Sequence, residues 1–128
     1  MNTAKISFLI GAFLGLTGVI AGAMGAHALE KVLTPDQLDA FETAVRFQMY
    51  HSILLLLLGL LEDRFRAPLF RWVMTCWVAG IVMFSGSIYL LVLTPLKLGI
   101  VTPIGGSILI VGWGILLLWG IRFKQTRA

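Results

Sequence analysis

Four apolar stretches, each close to the width of a membrane, constrain this chain more than any other feature. They run from Ile6 to Ala26, from Ala44 to Leu61, from about Phe70 to Leu93 and from about Gly99 to Ile121. Crossing about 30 Å of hydrocarbon takes about 20 residues of helix. Lipid offers the backbone no hydrogen-bond partners, so each stretch must bond within itself and is expected to be helical. Composition agrees. Of 128 residues, 59% are hydrophobic and 12% charged, whereas a soluble domain carries roughly 25% charged residues. A water-soluble chain this short could not bury so much apolar surface. The expected fold is all-α: an integral-membrane four-helix bundle forming a single domain over residues 1–128, with helices at about 6–29, 35–61, 70–93 and 99–121. Lys5, the following apolar run and Ala21-Gly22-Ala23 also fit a secretory signal with a small-residue cleavage site. The run is long for a signal core, so an uncleaved helix is expected.

The charges orient the bundle. With four crossings, both termini and the middle loop share one side, which carries Lys5, Arg64, Arg66, Arg71, Arg122, Lys124 and Arg127. The opposite side carries Lys31, Arg46 and Lys97. Seven cations against three favour an N-in, C-in arrangement by the positive-inside rule. Basic residues spread over segment ends in this way point to a membrane and not to nucleic acid.

The second helix is expected to be long. Thr34-Pro35-Asp36-Gln37 has a capping hydroxyl, a proline at the first helical position and a glutamine that completes a capping box. The amphipathic pattern Leu38, Phe41, Val45 follows, with no breaker before Gly59. A helix over residues 35–61 spans roughly 40 Å, more than the hydrocarbon. Its first turns, with Asp36, Asp39 and Glu42, therefore form an amphipathic extension on the outer side.

The first helix carries a glycine ladder. Gly11, Gly15, Gly18, Gly22 and Gly25 lie within about 40° of one line along the helix. In membranes, small residues let helix backbones approach closely. The partner is expected within the same chain. His27 ends this helix on nearly the opposite face, where it can cap carbonyls at the outer interface.

His51 stands near the middle of the second span. Ionisable groups at such depth face the bundle interior and have partners. Two readings stay open: a neutral histidine bonded to a nearby hydroxyl or carbonyl, or a proton, ligand or ion role. Arg46 can pair with Glu42 along the helix. The third helix brings Ser85-Gly86-Ser87 and Tyr89, and the fourth opens with Thr102-Pro103-Ile104-Gly105-Gly106-Ser107. A proline and two glycines loosen backbone bonding, which is tolerated where protein or a water-filled cavity covers it. His27, Arg46, Tyr50, His51, Ser85, Ser87, Tyr89, Thr102 and Ser107 are thus candidates for one polar pocket in the outer half. Structural hydrogen bonding between helices explains the same residues equally well.

Several chemistries find no support. A haem held by two histidines needs both ligands about 4 Å apart, and His27 and His51 differ in depth by about 10–15 Å. No HExxH, phosphate loop or zinc ligand set is present, so no metal and no cofactor is expected. Cys76 is the one cysteine and reads as a small buried hydrophobe. Catalytic residues are not recognisable, and the chain is not expected to be an enzyme. Four helices leave little room for the two gates of a transporter unless the protein is oligomeric.

Five motifs occur in order: Gly22-Ala23-Met24-Gly25-Ala26-His27, Phe47-Gln48-Met49-Tyr50-His51-Ser52, Phe84-Ser85-Gly86-Ser87-Ile88-Tyr89, Thr102-Pro103-Ile104-Gly105-Gly106 and Gly112-Trp113. Over nearly the whole chain this succession resembles the small integral-membrane family catalogued as domain of unknown function 423. That family includes bacterial inner-membrane proteins and a eukaryotic transmembrane relative. Phe47 stands where the family often has tyrosine, which removes a hydroxyl. The resemblance implies a four-helix, multi-pass protein of the bacterial plasma membrane, and it carries over no catalytic residues.

Two functions follow as expectations. The first is binding of a lipid or small ligand in the outer polar pocket. The alternative is a structural or assembly accessory of a larger membrane complex, or a homo-oligomer, packed in the bilayer through its glycines.

Overall fold

A computed structural model describes residues 2–124 and contains four long helices. They are α1 (Thr3–Ala26), α2 (Pro35–Phe65), α3 (Pro68–Leu93) and α4 (Val101–Arg122), with a 3-10 turn at Leu29–Lys31 between the first two. All four are long and apolar enough to cross a membrane. Arg127, counted among the orienting charges, lies outside the described residues.

Local chemistry sets the helix ends. Asn2 caps α1 by accepting a hydrogen bond from Lys5 N at 2.9 Å. The capping box at α2 forms in full: Gln37 N donates to Thr34 Oγ1 at 3.2 Å, and Thr34 N donates to Gln37 Oε1 at 3.0 Å. This helix runs on to Phe65, four residues past the expected Leu61. Glu62, Asp63 and Arg64 are polar but helix-compatible, so polarity does not end it. What ends it is Arg66, in the left-handed region with φ 51°, followed by Ala67 in extended backbone before Pro68. The loop expected over 62–69 is therefore only Arg66 and Ala67. At 31 residues α2 is about 46 Å long, which exceeds a bilayer's hydrocarbon.

The N-terminus of α4 differs from expectation. Pro103 falls in the first turn, where backbone N–H groups have no intrahelical partner to lose. The helix continues regularly through Gly105 and Gly106, so no break forms there. Gly105 is instead buried against α3: a Cβ there would collide with the backbone nitrogen of Phe84.

The helices form two hairpins, α1–α2 and α3–α4, joined by packing of α2 on α3. The central pair buries 39% and 33% of its spanning residues, while α1 and α4 on the flanks bury 17% each. Leu55, Leu58, Phe70, Val73, Trp77, Ile81 and Leu109 make the apolar core among α2, α3 and α4. All five ladder glycines of α1 face α2. A Cβ on Gly11 would lie 2.8 Å from the Ser52 carbonyl oxygen, and one on Gly18 would lie 3.3 Å from Gln48 Nε2. A Cβ on Gly22 would meet only Val45, at 3.4 Å. Hydroxyls fasten the seam from both sides: Ser7 Oγ donates to the Leu55 carbonyl at 2.7 Å, and Ser52 Oγ to the Gly11 carbonyl at 2.8 Å. Gly80, Gly105 and Gly112 do the same service between α3 and α4.

Candidate functional site

The nine polar residues expected to share one pocket occupy separate places. His27 is exposed at the C-terminus of α1, where its backbone N–H, not its imidazole, bonds the Ala23 carbonyl at 3.2 Å. Arg46 lines a small hollow of about 190 Å³ with Gly22, Gly25 and Glu42. Its guanidinium donates to Thr43 Oγ1 at 3.0 Å, in place of the expected pairing with Glu42. Ser87 and Thr102 bond each other at 2.5 Å and tie α3 to α4. Ser107 donates to the Pro103 carbonyl of its own helix at 2.8 Å. That leaves two groups, each in a groove of its own.

The first group surrounds His51, which is buried. Its Nδ1 lies 2.8 Å from the Phe47 carbonyl, and Trp113 Nε1 lies 3.2 Å from its Nε2. A carbonyl only accepts and an indole N–H only donates, so the ring is neutral with its proton on Nδ1. Trp77 and Trp113 both stand edge-on to the imidazole, at centroid distances of 5.7 and 6.1 Å. Phe47, Tyr50, His51, Ile53, Leu54 and Trp113 line a groove of about 500 Å³ between α2 and α4. Tyr50 is exposed on its rim. Both ring nitrogens of His51 are occupied, so this histidine serves as a tie between helices in the structure described.

The second group centres on Gln48, a residue that the sequence reading placed in a motif but not in the site. Gln48 is 5% exposed, in the middle of the bundle. Its Nε2 donates to the Leu14 carbonyl and to Thr17 Oγ1, each at 2.9 Å. Its Oε1 accepts from the Tyr89 hydroxyl at 2.6 Å. One amide thus joins α1, α2 and α3. Ser85 Oγ donates to the Ala44 carbonyl at 2.7 Å beside it. These residues floor a groove of about 390 Å³ between α1 and α3, with Leu14, Ala21, Ile81, Val82 and Gly86 as its walls. Its rim is open: Val82 is 62% exposed, and a Cβ on Gly86 would meet nothing within 4 Å. An uncharged amide inside an otherwise apolar span was the available signal for this site, because such a group must find internal partners.

A further hollow of about 310 Å³ lies where α1 begins and α2 ends, among Asn2, Ala4, Glu62, Asp63 and Arg66. Among the described residues, no three His, Cys, Asp or Glu side chains gather closely enough to hold a metal ion.

Four membrane-length helices fastened by glycines, hydroxyls and one central amide define a small multi-pass membrane protein. Comparison with known sequences places it more closely. The family profile described as "Protein of unknown function (DUF423)" matches residues 21–106, and the chain belongs to that family. It is 38% identical over 120 residues to a UPF0382 membrane protein of Staphylococcus aureus, covering 93% of this chain and 98% of the relative. A UPF0382 membrane protein of Staphylococcus saprophyticus is 40% identical over 115 residues, covering 89% and 95%. The UPF0382 inner membrane protein YgdD of Escherichia coli is 33% identical over 124 residues, covering 96% and 95%. No solved structure matches the chain.

Proposed function

We propose that this protein binds a lipid-like ligand in the groove between α1 and α3 and does no chemistry on it. One observation carries the reading. An uncharged polar floor, made by Gln48, Thr17, Tyr89 and Ser85, lies in a groove whose walls and rim are apolar. Such a groove suits a molecule already dissolved in the bilayer, with its chain along Ala21, Ile81 and Val82 and its polar end on the floor. The hydroxyls there donate to carbonyls or to Gln48, and His51 lines a different groove, so no base stands beside a nucleophile. The excess of Lys and Arg at the end holding Lys5, Arg64, Arg66, Arg71, Arg122 and Lys124 supports an N-in, C-in orientation. The Escherichia coli relative is named an inner membrane protein, which supports residence in the plasma membrane.

Native mass spectrometry of protein released from mild detergent tests this. Wild type should carry a reproducible extra mass. Gly86→Phe should lose it, because the new ring fills the groove from a position where a Cβ clashes with nothing. Bare wild-type protein would overturn the reading.

A second reading, an accessory subunit or homo-oligomer, has its own support. Gly114 and Gly120 are exposed on α4 and have nothing within 4 Å of where a Cβ would sit. Small residues on an outer face admit another helix at close range. This reading predicts a stable oligomer or complex in the same spectrum that Gly114→Leu dissociates.

A further inference from the structure

The floor of the groove between α1 and α3 is polar, yet every hydrogen-bond donor on it is already engaged. Both Nε2 hydrogens of Gln48 are taken, by the Leu14 carbonyl and Thr17 Oγ1. The Tyr89 hydroxyl donates to Gln48 Oε1. Thr17 donates back to the Phe13 carbonyl at 3.0 Å, and Ser85 donates to the Ala44 carbonyl. The sense of the amide is not arbitrary. Turning it over would set Gln48 Oε1 against the Leu14 carbonyl oxygen, two acceptors with no proton between them. What the floor still offers is lone pairs alone: one on Gln48 Oε1, and others on the oxygens of Tyr89, Thr17 and Ser85.

An acceptor-only floor discriminates. The phosphate of a phospholipid, the carbonyls of a quinone and an ester oxygen would all meet acceptors. An ammonium head would be a donor, but no charged residue lines the groove to balance it. A hydroxyl fits: it brings one donor and no charge. The volume of about 390 Å³ accommodates a head and its first few carbons, while the open rim at Val82 and Gly86 lets the chains run on into the bilayer. We infer that the groove selects the hydroxyl of an uncharged lipid alcohol, a diacylglycerol or long-chain alcohol, whose single proton is donated to one of the free lone pairs on the oxygens of Tyr89 and Gln48. This rests on the reading above that the groove holds a lipid.

The test uses the full chain, delipidated in mild detergent and titrated in native mass spectrometry. The two probes are dioleoylglycerol and its methyl ether, in which the hydroxyl proton is replaced by a methyl group. The alcohol should bind about threefold to tenfold more tightly than the ether, the range expected for one net hydrogen bond. Gly86→Phe should abolish both adducts. Equal binding of alcohol and ether, both lost in Gly86→Phe, would overturn the hydroxyl selectivity and leave lipid binding intact. Alcohol binding that survives Gly86→Phe would place the ligand outside this groove and overturn the inference. Binding of neither probe, with an extra mass still present on protein as first extracted, would remove the alcohol but not the lipid. Binding of neither probe and no extra mass would remove both.

Discussion

Trp113 Nε1 donates to His51 Nε2 across 3.2 Å, and this bond joins the first hairpin to the second near mid-helix. It also decides the state of the histidine. With Nδ1 on the Phe47 carbonyl, a second proton would leave Trp113 and His51 as two donors facing one another. In this geometry the buried histidine is neutral and connects two helices. The neighbouring edge-on Trp77 closes the other side of the ring.

The tautomer is directly observable. Nitrogen NMR of imidazole-labelled protein should show His51 protonated on Nδ1 and bare on Nε2 at neutral pH. Trp113→Phe removes the donor to Nε2 but leaves the Phe47 carbonyl in place, so the proton should stay on Nδ1 while the Nε2 resonance shifts with the loss of its hydrogen bond. A protonated Nε2 in wild type would contradict the Trp113 bond.

The glycine ladder predicts unequal penalties along one helix. Gly11→Ala puts a methyl 2.8 Å from a backbone oxygen of α2, which cannot swing aside. Separating the helices to make room should cost about 1–3 kcal/mol. Gly22→Ala places its methyl 3.4 Å from a Val45 methyl, an ordinary contact, and should change stability by less than about 0.5 kcal/mol. Unfolding of both variants in mixed detergent, followed by loss of helical circular dichroism, should separate them. Equal stabilities would mean that α1 does not approach α2 as closely as described.

Much of this architecture was legible because membrane helices announce themselves by length. The α2 capping box and the glycine face of α1 were readable for the same reason: each is a local pattern with one physical use. The second seam was not read. Gly80, Gly105 and Gly112 are divided between two helices, so no periodic ladder marks them, and Thr102-Pro103 drew attention to backbone irregularity instead of close packing. The site was harder still. Depth places His51 and Gln48 at similar levels, but which groove each faces depends on how α1 and α4 flank the central pair. Helix periodicity says nothing about which neighbour lies on which side. An uncharged amide is a weaker signal in a sequence than a histidine, although Gln48 on α2 bonds both α1 and α3.

The central amide should show measurable coupling with its phenol. Gln48→Leu should cost about 1 kcal/mol and Tyr89→Phe somewhat less, since interhelical hydrogen bonds in membranes are individually modest. A double-mutant cycle should return a coupling of about 0.5–1.5 kcal/mol between them. Strict additivity would show that the 2.6 Å contact contributes no net stability.

The charge distribution makes the last prediction, and it concerns topology. The start of α1, the end of α4 and the Arg66-Ala67 turn lie at one end of the bundle, with Lys5, Arg64, Arg66, Arg71, Arg122 and Lys124. A reporter that fluoresces only in the cytoplasm should be bright when fused after the last residue, and a reporter active only outside should be silent there. Lys5→Glu and Arg71→Glu together remove two cations from this side, and because acidic residues weigh little, the change is in the number of positive charges. Among the described residues, six cations at this end against Lys31, Arg46 and Lys97 become four against three. The orientation bias should fall, and a fraction of the fused chains should insert with the C-terminus outside. An external C-terminus in the unmodified chain would mean that its short, asymmetric loops do not set its direction of insertion, and the N-in, C-in proposal would fall with it.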